Sequence, residues 1–153
     1  GSSVRKREAY SRHAALILYQ VPLCQLKIQA SPLLSSILEA NFLGKRAASW
    51  FTHDGWEVLL PLIDHGKKTD LVIADDINFY RIQVKSVESS DDNIFVENKW
   101  DDANIDYVIY FSRTDNWGYI TEPFKEPRKK LNSECHVKFH QHPTNFLKAF
   151  KKI

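Results

Sequence analysis

The sequence predicts an α/β sandwich, a central mixed sheet flanked by helices. Three observations predict it: one long amphipathic helical stretch, a three-strand meander directly after it, and further short strands before a final helix. The long helix opens at Ser31-Pro32, with Ser as cap and Pro in the first turn. Leu34, Leu38, Phe42, Ala48 and Phe51 give it an apolar stripe running to about His53, and Asp54-Gly55 ends it. Strands follow over 56–60 and 70–74. Asp75-Asp76-Ile77-Asn78 reads as a hairpin turn, and 79–87 as the third strand. Residues 94–96, 107–112 and 118–121 read as further strands. Residues 144–152 read as a helix with a Thr144 cap and Phe146, Leu147 and Phe150 turned inward. Ahead of the long helix, 8–19 fits a helix and 23–30 a short strand. Gly1-Ser2-Ser3 reads as an expression scar, leaving 4–153 as one expected domain with its core at about 32–112.

A chain of 153 residues is long enough to bury a core, and 43% hydrophobic with 12% aromatic residues fits a folded protein. No apolar run approaches a membrane span, because Gln20, Pro22 and Gln25 interrupt the longest. The expectation is a cytoplasmic protein whose two distant cysteines, Cys24 and Cys135, are reduced thiols. Net charge is only +2, yet it is unevenly spread. Residues 125–153 carry eight Lys/Arg against two Glu (8 − 2 = +6), and residues 85–124 carry three against nine Asp/Glu (3 − 9 = −6). Arg5, Lys6 and Arg7 add a basic amino terminus. Such asymmetry suits basic ends on a phosphate backbone and a cation in the middle, although each cluster taken alone also reads as solvated surface.

The most informative stretch runs from Thr69-Asp70-Leu71-Val72 to Ile82-Gln83-Val84-Lys85. On a strand, Gln83 and Lys85 leave one face while Ile82 and Val84 leave the other. A Lys and a Gln on one face, beside a strand that opens on Asp, cost stability unless the groups share a ligand. A divalent metal with a phosphate is such a ligand.

Gly55-Trp56-Glu57-Val58-Leu59-Leu60-Pro61, then Asp70-Leu71-Val72, then Ile82-Gln83-Val84-Lys85, resembles the PD-(D/E)XK nuclease superfamily. Within it the chain is most similar to the branch of Holliday-junction resolvases and cyanobacterial-type intron homing endonucleases, where Gln often replaces Glu in the last motif. The likeness spans roughly residues 39–110. It implies a restriction-endonuclease-like fold, Mg²⁺ (with Mn²⁺ as a substitute), a DNA partner, and a homodimer or higher homo-oligomer.

It also implies roles. Asp70 becomes the main carboxylate ligand, Gln83 and the Val84 carbonyl supply further hard oxygens, and Lys85 positions or deprotonates the attacking water. Bland readings stand beside these: Asp70 as a turn cap, Lys85 as an edge-strand lysine. Relatives place a further acid on the first helix, where this chain reads Asn41-Phe42-Leu43-Gly44-Lys45-Arg46-Ala47-Ala48. Glu39, about a turn earlier, is the nearest substitute as a catalytic and metal-binding group, or is a solvated helix charge. Candidate DNA contacts are Arg5, Lys6, Arg7, Lys45, Arg46, Lys67, Lys68, Arg128, Lys129 and Lys130. His136, His140 and His142 lie in a strand-like tract and fit phosphate contact or surface better than zinc. Trp100, Trp117 and Phe111 are base-stacking candidates, though large aromatics are more often core. The expected function is a metal-dependent DNA endonuclease. The alternative is a weakened or inactive nuclease-fold module that binds DNA or protein.

Overall fold

The computed structural model describes residues 32–153 except 64, 65 and 101, with the backbone alone over 32–41. The expected elements over 8–19 and 23–30, together with Arg5, Lys6, Arg7, Cys24 and His65, lie outside the described residues, as does the side chain of Glu39. Helix α1 (Pro32–His53) leads into β1 (Glu57–Leu59), β2 (Leu71–Ala74), β3 (Phe79–Val87), β4 (Phe95–Glu97), β5 (Tyr107–Ser112), β6 (Trp117–Thr121), β7 (Arg128–Lys130), β8 (Val137–His140) and helix α2 (Pro143–Phe150). Six strands form one sheet in the order β1-β2-β3-β5-β6-β8, and β4 pairs with β7 as a separate two-stranded ribbon. Only β3 and β5 run parallel, so the sheet is mixed, as expected.

The end of α1 shows how the chain turns toward the meander. Gly55 takes φ +93°, a conformation an L-residue avoids. That turn brings the Trp56 N–H back to the Phe51 carbonyl at 3.1 Å. Trp56 is thereby committed to the cap, and β1 starts one residue later than its apolar pattern suggests. The β2–β3 turn is closed by the Asp75 carboxylate, which accepts from the Ile77 and Asn78 N–H groups at 2.8 and 2.7 Å.

Strand alternation sorts the sheet into two faces. Leu71, Ile73, Ile82, Val84, Ile109, Phe111, Ile120 and Phe139 meet Leu43, Ala47, Phe51, Phe146 and Phe150 of the two helices. Val108, Tyr110, Trp117 and Tyr119 on the reverse face meet Val96 and Leu131 from the ribbon region, with Trp100 and Phe124. Aromatic edges dominate the helix side: Phe51–Phe146, Phe51–Phe150 and Phe139–Phe146 sit at ring separations of 5.0, 4.9 and 5.1 Å, near-perpendicular. Gly118 on β6 lies flat under Phe139, where no side chain fits.

Several expectations are corrected. Phe42 is 59% exposed, and the inward stripe of α1 uses Leu43, Ala47, Trp50 and Phe51. Ala48, also of the expected stripe, is buried in this core as expected. His142, not Thr144, caps α2: its ring nitrogen accepts from the Thr144 N–H at 3.3 Å, with Pro143 opening the helix. His136 is buried, with Nδ1 2.8 Å from the Leu131 carbonyl and its ring stacked on Phe124 at 6.1 Å, while His140 is exposed. Burial lowers the His136 pKa first, so the ring is neutral and structural. Trp100, Trp117 and Phe111 are core. Strand β7 was not expected, because Arg-Lys-Lys carries no apolar alternation.

Candidate active site

Antiparallel register carries the site. Leu71 pairs with Ile82, and Asp70 lies immediately before β2. The Asp70 N–H donates at 2.9 Å to the carbonyl of Ile82, the residue that Leu71 already faces, so the pairing is offset by one residue at this edge. Further along β3, the Val84 N–H donates to the Asp70 carboxylate at 2.6 Å. The carboxylate thus takes the place of the strand that has ended. In an extended strand the carbonyl of a residue points to the side of its own N–H, so the Val84 carbonyl also faces the Asp70 side. Asp70 is exposed at this edge.

Gln83 and Lys85 leave β3 on the face opposite the helices. Gln83 is 7% exposed, and its side-chain Oε1 is buried without a hydrogen-bond partner. Lys85 is half-buried. Desolvation pushes its ammonium pKa below the ordinary lysine value; the charges of Lys99 and Lys68 push the same way, and Asp70 opposes them. Across the parallel pair, Lys85 faces Tyr110. The Tyr110 hydroxyl is buried without a partner, and burial raises its pKa. A groove of about 410 Å³ opens there, lined by Lys85 and Tyr110 from the sheet and by Phe95, Glu97, Lys99 and Arg128 from the ribbon side.

Arg81, Lys99 and Tyr110 were not singled out by sequence reasoning. Arg81 stands two residues before Gln83 on the same face. Its Nε donates to the Thr69 hydroxyl at 2.9 Å, fastening the loop that delivers Asp70. The period-2 spacing Arg81, Gln83, Lys85 was the available signal. Tyr110 and Lys99 arrive by parallel pairing and by the ribbon, which no local pattern reveals. In the Asp70 loop, Lys68 itself takes φ +64°, an uncommon backbone for a non-glycine residue.

The candidate DNA contacts divide. Lys45, Lys67, Lys68, Arg128 and Lys130 are exposed. The Arg46 guanidinium donates to Gln141 at 3.0 Å and sits over the Phe42 ring at 5.0 Å. Lys129 is half-buried over Phe124 at 5.8 Å, with Glu126 at 3.9 Å, and so leaves the ribbon on the side away from Arg128 and Lys130.

The donors fit a hard cation. Asp70 offers a carboxylate, Gln83 an unsatisfied amide carbonyl, and Val84 a backbone carbonyl; an all-oxygen set suits Mg²⁺ or Mn²⁺ over softer metals. Among the described residues, no three His, Cys, Asp or Glu side chains converge on one point. No described helix is long and apolar enough to cross a membrane.

Comparison with known proteins bears on this geometry. No curated protein matches the chain. Among solved structures, a bacterial homing endonuclease shares the fold, at 21% identity and a TM-score of 0.51, over 65% of this chain and 79% of that one. The PD-(D/E)XK endonuclease family matches residues 44–149, a span holding β1 to β8 and therefore the whole Asp70–Lys85 hairpin. The chain belongs to the PD-(D/E)XK endonuclease family.

Proposed function

We propose that the protein is a metal-dependent DNA endonuclease that hydrolyses phosphodiester bonds with Asp70, Gln83 and Lys85. One observation carries this reading. A carboxylate is fixed on the Val84 N–H, next along β3 from Gln83, whose buried amide oxygen has no partner and which stands two residues from a lysine whose proton is loosened. Packing alone gives no reason to keep that amide oxygen buried and unsatisfied, a state that costs free energy on the order of 1–3 kcal/mol.

A bound Mg²⁺ or Mn²⁺ would polarise the phosphate and ease proton loss from water. Asp70, Gln83 and the Val84 carbonyl would hold it. Lys85, part desolvated, gives up its proton more readily than an ordinary lysine, and as a cation it offsets phosphate charge. Arg81 keeps the Asp70 loop in place. Glu39 is proposed as a further metal ligand from α1. Duplex cutting by one site per chain favours a homodimer or higher homo-oligomer.

The test is incubation with supercoiled, linear and four-way-junction DNA in Mg²⁺, Mn²⁺ or chelator. Cleavage that requires the metal is expected. Salt-sensitive DNA binding without cleavage under any of these conditions would favour the inactive-module reading instead.

The pH profile offers a second test. Lys99 helps to lower the Lys85 pKa, so Lys99→Gln should raise it. The limb of the pH–rate profile that belongs to Lys85 should then move to higher pH, while kcat on the plateau stays close to wild type. A profile that does not move would remove Lys85 as the titrating group.

A further inference from the structure

The β4–β7 ribbon carries an exposed aromatic set among cations beside the Lys85 groove. Phe95 is 53% exposed on the outer face, while its neighbour Val96 is buried in the reverse-face core. Across the ribbon, Phe95 pairs with Lys130. The Lys130 ammonium lies 5.9 Å from the Phe95 ring centroid, and the Arg128 guanidinium 5.2 Å. Lys129, the residue between them, faces away. Phe95, Arg128 and Lys85 line one groove, so the ribbon face and the candidate site share a single surface. Glu97 also lines it, held by Lys99 at 3.3 Å.

A solvent-exposed ring between two cations has little value for the fold. Val96 on the other face already anchors β4. For duplex DNA the arrangement is apt. The major groove, about 12 Å wide, admits a two-stranded antiparallel ribbon, and phenylalanine contacts thymine methyl groups there. Cations alone would hold phosphates without telling one sequence from another.

We propose that the outer face of the β4–β7 ribbon enters the major groove next to the phosphate bound at Lys85. Phe95 packs against base edges, and Arg128 and Lys130 hold the flanking backbone. This makes Phe95 a specificity-determining residue. The inference rests on the endonuclease reading and adds to it the element that reads sequence.

The experiment is selection of a randomised 20-base-pair duplex pool by the protein in chelator, followed by affinity measurement over a salt series on the enriched duplex. The enriched duplex is tested with thymine and with uracil at each thymine position. Phe95→Ala should lose roughly five- to a hundredfold in affinity for the thymine duplex. It should keep the wild-type salt slope and become indifferent to the uracil exchange. Arg128→Gln and Lys130→Gln should each reduce the salt slope by about 1. Because Phe95 is exposed, the thermal midpoint of Phe95→Ala should match wild type. Wild-type affinity and an unchanged enriched sequence in Phe95→Ala would overturn the proposal, as would wild-type binding that enriches no sequence. A wild-type protein that binds no DNA would overturn the endonuclease reading beneath it.

Discussion

Lys85→Met is expected to abolish DNA cleavage and to leave the domain at least as stable as wild type. The two effects have one cause. Lys85 is half-buried, and burial together with Lys99 and Lys68 disfavours its charged form in the folded state. The folded chain therefore binds fewer protons than the unfolded chain between the lowered folded pKa and the ordinary lysine value. Stability from this group must rise with pH through that window, and its cost is greatest on the acid side of it. Methionine keeps the aliphatic stem and removes the charge. Cleavage should fall by about a hundredfold to ten-thousandfold, the usual contribution of a group that moves or holds a proton in the reaction. The thermal midpoint should stay or rise, and its increase on going from neutral to alkaline pH should be smaller than in wild type. A marked loss of cooperative unfolding would make Lys85 a structural residue and not a site residue.

Gly118→Ala should produce the largest loss of stability. A Cβ at this position would lie 2.2 Å from Phe139 Cζ and 2.5 Å from the Tyr110 carbonyl oxygen. A free ring would swing aside, but Phe139 is itself wedged against Phe111 and Phe146 at 5.6 and 5.1 Å. The carbonyl belongs to the neighbouring strand and can move only by opening the β5–β6 ladder. Overpacking of this kind costs roughly 1–3 kcal/mol or more, a drop of about 3–10 °C in Tm for a domain of this size. Phe139→Leu in the Gly118→Ala background should recover part of it by clearing the ring. Equal melting of Gly118→Ala and wild type in a calorimeter would show that the sheet yields more than this packing allows.

The meander and its site lay close to the surface of the sequence because their logic is local. Strand β3 and the hairpin turn follow from alternation and from Asp75, and the shared face of Gln83 and Lys85 follows from a period of two. That Asp70 reaches β3 at Val84 needs only the closeness of two strands in one hairpin. What was missed depends on contacts distant in sequence. The ribbon strand β7 is three charged residues, stabilised by pairing with a segment some thirty positions earlier. His136 looks like a surface histidine until Phe124 and Leu131 close around it. The inward face of α1 departs from its expected line at Phe42, which lies under Arg46 at the surface.

The compactness of the Asp70–Lys85 hairpin has a consequence for the order of assembly. Its strands join through a tight turn, and hairpins of this kind close in about 1–10 μs. The groups that cover it, Tyr110 on β5 and the β4–β7 ribbon, come from later in the chain and must close longer loops first. The carboxylate, amide and ammonium are therefore placed relative to one another while all three are still hydrated. Water leaves Lys85 only when the ribbon and β5 dock. Geometry comes early and acidity late, so a nascent chain can own the shape of its site before it owns the chemistry.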